Sequence, residues 1–142
     1  MASGIKPSDS CLTVYNSIKM NHSHPYAIFT INTTTNEIDI YKLANPGSTH
    51  KDFMDDMRKL ESEGCFAVLD YCPPGARTNN LGFISWVNDK LPVRRRMLYA
   101  SSKDGLRRSL EGIKFCIHAS EMEDLTEESM TQAVASACKS TR

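Results

Sequence analysis

Arg94, Arg95, Arg96, Lys103, Arg107 and Arg108 gather six positive charges into about four helical turns, in a chain whose 17 basic and 17 acidic residues balance overall. The chemistry open to such a cluster is recognition rather than bond-making: charge-assisted hydrogen bonds to a partner's carboxylates or phosphates. Two neighbours refine that reading. Asp104 stands inside the basic field, which suits a partner offering charges of both signs better than a phosphate backbone. Met97 adds a flexible apolar contact to the same run.

Laid out at about 100° per residue, the segment from Pro92 to Leu110 predicts one long helix with two faces. Tyr99, Leu106 and Leu110 form a core stripe, with Leu98 at its edge. Met97, Ser101, Asp104 and Arg108 share the opposite side, with Arg94 close by, while Arg96, Lys103 and Arg107 flank that stripe. A methionine among outward charges marks a helix that docks into a partner's groove rather than one that is merely solvated. Arg95 is a misfit near the apolar side; it either snorkels at the helix start or shows that the face assignment is loose there. Pro92 is expected in the first turn. Ser101 and Ser102 are expected to bond back to earlier carbonyls and bend the helix, and Gly112 to stop it.

The remaining reactive residue types do not assemble into a site. The chain contains no phosphate-binding glycine loop, nucleophile elbow or metalloprotease motif. His22 and His24 form the one metal-like pair, without a third ligand at a clear spacing. Ser3 has no histidine and acid that can be placed around it. Glu121, Glu123, Asp124, Glu127 and Glu128 read as an acidic approach to a helix N-terminus, where the macrodipole favours them. The five cysteines are odd in number and lack Cys-x-x-Cys spacing, so they read as small buried hydrophobes or incidental thiols. A binding protein with no cofactor and no metal is expected, not an enzyme.

The elements that must hold the basic helix follow from periodicity and turn residues. A first helix capped by Ser8 or Asp9 runs to about Met20. Two strands, Tyr26–Ile31 and Glu37–Tyr41, flank a hairpin turn. A second helix opened by Ser48 or Thr49 reaches about Leu60, with Phe53, Met57 and Leu60 inward. Cys65–Tyr71 is apolar nearly throughout, as a central strand covered on both faces would be, and it can form a hairpin with Leu81–Trp86. Lys114–His118 supplies another strand, and Thr126 caps a last helix carrying Met130, Val134 and Cys138. The expected class is α/β in the α+β sense: one mixed sheet with helices on both sides. A single domain spans residues 1–142, with residues 1–7 a flexible leader and 139–142 a frayed tail.

Hydrophobic content of 40% and charged content of 24% are those of a soluble globular chain. Zero net charge argues against bulk nucleic-acid binding. No window approaches a membrane-spanning length, and no secretory h-region is present, so a cytoplasmic monomer is expected.

Pro92 to Arg108, with its run Arg94-Arg95-Arg96-Met97-Leu98-Tyr99-Ala100-Ser101-Ser102-Lys103-Asp104, resembles the signature of the actin-depolymerising factor/cofilin family. Met1-Ala2-Ser3-Gly4-Ile5, Phe66–Tyr71 and Phe83–Trp86 are similar to that family's N-terminus and central strands, so the resemblance spans essentially the whole chain. It implies the actin-depolymerising-factor-homology fold, residence at the actin cytoskeleton, and disassembly or severing of actin filaments with a preference for ADP-bound monomers. On matching positions it implies that Ser3, Gly4, Ile5, Arg94, Arg96, Met97, Lys103, Asp104, Arg107 and Arg108 contact the actin monomer. It also implies phosphoinositide headgroup binding by the basic cluster and regulatory phosphorylation of Ser3. A second, filament-only surface departs from the family pattern: Thr78 and Asn80 are neutral where basic residues are expected, Arg77 is one place out of register, and Met130–Ala137 is neutral. Arg77 and Asn80 are therefore expected to bind filaments weakly. The alternative is a glia-maturation-factor-like or coactosin-like relative on the same fold, acting on the actin-branching complex or on filaments without disassembling them.

Overall fold

The strand Cys65–Tyr71 divides its side chains by parity between two cores. Cys65, Ala67, Leu69 and Tyr71 enter one, while Phe66 and Val68 enter the other. A strand that is apolar on both faces has to be covered on both. The computed structural model, which describes residues 5–73, 75 and 77–140 with side chains through residue 136, shows the covers.

The elements in chain order are β1 (Lys6–Pro7), α1 (Asp9–Asn21), β2 (Tyr26–Asn32), β3 (Glu37–Leu43), α2 (His50–Lys59), β4 (Cys65–Tyr71), β5 (Asn80–Trp86), α3 (Val93–Ser109), β6 (Phe115–Ala119), a 3-10 helix (Met122–Leu125) and α4 (Glu127–Ser140). The strands among the described residues form one mixed sheet, ordered β1-β3-β2-β4-β5-β6. The central four are antiparallel, and β1 and β6 add in parallel at the two edges. Phe53, Met57, Met130 and Val134 of α2 and α4 pack on one face with Trp86. Cys11, Tyr15 and Ile18 of α1 and Tyr99 and Leu106 of α3 pack on the other. The mixed sheet with helices on both faces is thus the architecture expected from the sequence.

Three of the α-helix starts follow side-chain capping. The Ser8 hydroxyl accepts from the Cys11 N–H at 3.2 Å. Thr49 and Asp52 satisfy each other's backbone N–H groups in a capping box. The Thr126 hydroxyl accepts from the Ser129 N–H at 3.2 Å. Four details differ from expectation. Lys6 and Pro7, expected in a flexible leader, pair with Glu37 and Ile38 of β3. Pro92 is the N-cap, with extended backbone, rather than a first-turn residue; its carbonyl accepts from Arg95 and Arg96 N–H, both at 3.0 Å. Met122–Leu125 winds a 3-10 turn closed by the Glu121–Asp124 capping box. The helix α4 continues through Lys139 and Ser140.

One buried hydroxyl sets the position of α3. The β2–β4 ladder runs from Tyr26↔Leu69 to Phe29↔Phe66 and stops there, although continuing its register would bring Ile31 opposite Gly64. The Tyr99 hydroxyl occupies that gap. It donates to the Gly64 carbonyl at 3.1 Å and accepts from the Ile31 N–H at 3.2 Å. Two backbone groups that the ladder would otherwise leave unpaired are thereby satisfied. Gly64 is required beside it: its φ is +79°, and a Cβ there would lie 2.7 Å from Leu91 Cδ2. The Tyr99 ring is fully buried against Phe66, with ring centroids 5.0 Å apart. Burial pushes the hydroxyl pKa up, so it stays protonated and can donate and accept at once.

Replacing Tyr99 with Phe is expected to lower unfolding free energy by about 1–3 kcal/mol, the cost of two buried backbone groups losing their partner. Urea denaturation checks this; a loss near zero would mean that ring packing alone positions α3.

Candidate functional site

With Tyr99, Leu106 and Leu110 buried, the helical period decides what α3 turns outward. Arg94, Met97, Ser101, Asp104 and Arg108 are all exposed, as the expected stripe requires. Among the described residues, the side chains of Arg94, Asp104 and Arg108 make no hydrogen bond or ion pair, although their backbones belong to the helix. Their charges are thus available to a partner. Arg96, Lys103 and Arg107, expected to flank the stripe, are half-buried.

The arginines divide into different jobs. Arg95 resolves its misfit by acting inward: its Nε donates to the Glu63 carbonyl at 2.8 Å, and its guanidinium lies 5.7 Å from the Tyr99 ring centroid. It ties the start of α3 to the turn before β4. Arg96 leans back toward exposed Asp89, with Nη1 3.9 Å from Oδ1, a pairing worth little at the surface. Its Nε is buried without a partner among the described residues. Arg107 turns toward the sheet edge, where its Nε lies 3.2 Å from Cys116 Sγ.

Val93 is 61% exposed and Met97 66% exposed, one helical turn apart. The two make an apolar pair beside Arg94, and Val93 was not singled out from the sequence, although its i, i+4 spacing to Met97 was the signal available. An open groove of about 620 Å³ lies against this turn, lined by Thr33, Pro92, Arg94, Arg95, Met97, Leu98 and Ser101. Thr33 comes from the β2–β3 turn, and no sequence pattern places it there. Ser101 and Ser102 both donate to the Leu98 carbonyl, at 3.1 and 2.8 Å. That is the back-bonding expected of the pair.

The other site expectations fall elsewhere. Ser3 and Gly4 lie outside the described residues. Ile5 is half-buried, packed against the core shared by α1 and α3. Arg77 is exposed in the β4–β5 connection, and Asn80 opens β5 with its amide 3.4 Å from the Thr78 carbonyl. They belong to different elements from the α3 stripe. His22 and His24 take separate partners: His22 Nδ1 meets Asp70 Oδ2 at 2.7 Å, and His24 Nδ1 meets the Ala44 carbonyl at 2.6 Å. The pair therefore holds local structure, with His22 in left-handed backbone at the end of α1.

Comparison with known proteins gives a consistent result. The family profile described as cofilin/tropomyosin-type actin-binding protein matches residues 4–135. Actin-depolymerizing factor 2, isoform c, of Caenorhabditis elegans is 37% identical over 143 residues, covering 92% of this chain and 93% of that relative. A crystal structure of Streptomyces griseoflavus cofilin superposes with a TM-score of 0.83 at 32% identity, covering 92% of this chain and 99% of that one. A coactosin from Entamoeba histolytica has a TM-score of 0.77 at 14% identity, covering 97% and 99% of the two chains, a likeness of fold alone.

The division of the helix into inward and outward arginines can be measured without a partner. Arg95→Ala should destabilise the fold by about 1–3 kcal/mol, since it removes a charged hydrogen bond and a ring contact. Met97→Ala should change stability by less than about 0.5 kcal/mol, as an exposed position away from special features. Equal losses in thermal or urea unfolding would contradict the face assignment.

Proposed function

The chain belongs to the cofilin/tropomyosin-type actin-binding protein family, and from that premise we propose that it binds actin monomers and filaments and promotes filament disassembly. The observation that carries this reading is the outward face of α3, where the exposed Val93–Met97 pair lies beside Arg94, Asp104 and Arg108 on a helix fixed by Tyr99. Its chemistry suits a protein groove with apolar depth and charges of both signs on its rim. Arg94, Met97, Asp104 and Arg108 make the direct contacts. Arg96, Lys103 and Arg107 steer the approach through their field. The work of this surface is association rather than catalysis, in the cytoplasm at the actin cytoskeleton, with the ADP-bound monomer preferred. Ile5, next to β1, which runs beside α3, contributes to the same contact, and Ser3 and Gly4 are assigned to it as well.

Phosphorylation of Ser3 would add about −1.5 to −2 charge and oppose docking on an acidic partner surface. The same basic cluster offers binding to phosphoinositide headgroups. Filament contacts are weaker than monomer contacts, because Arg77 is the one basic residue between Gly75 and Asn80, and fewer charge pairs hold the domain to a filament's side. Severing accompanies disassembly in this reading.

The triple variant Arg94→Ala, Met97→Ala, Arg108→Ala should lose at least about tenfold in actin-monomer affinity, or roughly 1.4 kcal/mol, with an unchanged melting temperature. Wild-type affinity in that folded variant would place the contact on another face. High-speed cosedimentation tests the activity itself: the wild-type chain should pellet with filaments and raise the unsedimented actin fraction. Pelleting without that rise would instead favour a coactosin-like binder, and neither effect would overturn the reading. Asn80→Lys should increase cosedimentation with filaments, and no increase would mean that position is unused.

A further inference from the structure

The sheet edge behind α3 carries a second feature. Ile84, Trp86, Phe115 and Ala119 belong to the core beneath α2 and α4, so alternation sends Ser85 of β5 and Cys116 and His118 of β6 toward α3. There they line a groove of about 210 Å³ together with Lys103, Asp104 and Arg107. Cys116 is exposed, and Arg107 Nε lies 3.2 Å from its sulfur. Ser85, one of the lining residues, is 1% exposed, and its buried hydroxyl has no hydrogen-bond partner among the described residues. A buried hydroxyl left unpaired is costly, and here it borders a space with an apolar floor of Phe83 and Ile117 and a charged rim of Lys103, Asp104 and Arg107.

We propose that this groove is a site of thiol modification, in which Cys116 forms a mixed disulfide with glutathione and thereby blocks the outward face of α3. The ligand class follows from the charges. A glutathione unit carries two carboxylates, one ammonium and two peptide groups. Lys103 and Arg107 match the carboxylates, Asp104 matches the ammonium, and the Ser85 hydroxyl gains a peptide group as its partner. The sulfur is reachable from solvent, and the Arg107 guanidinium donates to it from within the groove.

In the exchange, Cys116 gives its proton to solvent and its sulfur attacks one sulfur of glutathione disulfide. A new S–S bond forms as the old one breaks, and the departing half leaves as a thiolate that takes up a proton. Cys116 is oxidised and that half of the disulfide is reduced, with no other reactant needed. The adduct then sits on Lys103, Asp104 and Arg107, residues assigned above to actin contact and steering. The regulatory part of the proposal rests on that assignment.

The test treats the full-length protein with glutathione disulfide and follows the adduct at each cysteine by peptide mass spectrometry. Cys116 should react at least about fivefold faster than exposed Cys72, and its rate should fall severalfold in Arg107→Gln. Ser85→Ala should lower the equilibrium yield of adduct at Cys116 and leave Cys72 unaffected. Equal rates at Cys116 and Cys72, or a Cys116 rate indifferent to Arg107→Gln, would overturn the site. Protein carrying the adduct should lose about tenfold in actin-monomer affinity and regain it with dithiothreitol, whereas Cys116→Ser treated identically should keep it. Unchanged affinity with Cys116 fully modified would overturn the regulation. If the unmodified chain fails to bind actin, the functional assignment fails, and the rate comparison, which needs no actin, still decides the site.

Discussion

A hydroxyl group placed where two strands part company governs what this surface can be. The β2–β4 ladder ends at Phe29↔Phe66, and Tyr99 reaches from α3 to satisfy the next two backbone groups, the Ile31 N–H and the Gly64 carbonyl. The contact fixes the rotation of α3 as well as its distance from the sheet, because a phenol bonded at its tip leaves its helix little freedom to roll. With that angle set, the 3.6-residue period assigns every other side chain of the helix. A roll of one residue, about 100°, would carry Met97 and Arg108 off the exposed face.

Charge is arranged with similar economy. The chain is neutral as a whole, so it has no long-range attraction for polyanions in general. Its local field comes from α3, and there the arginines serve three ends: Arg95 braces the helix start, Arg94 and Arg108 face outward, and Arg107 reaches the sheet edge. In the proposed reading, Asp104 among them matches a partner that presents positive as well as negative charge. The exposed apolar pair Val93–Met97 offers, in the same reading, contact area that charges alone do not.

Much of this was legible in the sequence, because periodicity and capping are local. Ser8 or Asp9, Ser48 or Thr49, and Thr126 announced helix starts, the apolar run Cys65–Tyr71 announced a doubly covered strand, and the wheel of α3 separated Tyr99 and Leu106 from Met97 and Arg108. What was hidden depends on tertiary neighbours. Lys6 and Pro7 look like a loose leader until β3 is placed beside them. Arg95 looks like a misfit until the Glu63 carbonyl and the Tyr99 ring are seen to receive it. Thr33 joins the groove at α3 through a hairpin turn more than fifty positions away, and Cys116 gains its arginine neighbour only when β6 joins β5 in parallel. The proline at position 92 was read one place too far into the helix, since its ring fits an extended cap as well as a first turn.

The central claim is that the outward face of α3 is covered when the chain holds an actin monomer. Oxidative footprinting with peptide mass spectrometry reads this directly through two methionines of similar exposure, Met97 at 66% and Met20 at 72%. The account predicts that bound actin monomer protects Met97 strongly and leaves Met20, on α1, as reactive as in the free protein. Met97 oxidised at the same rate with and without saturating actin would contradict it.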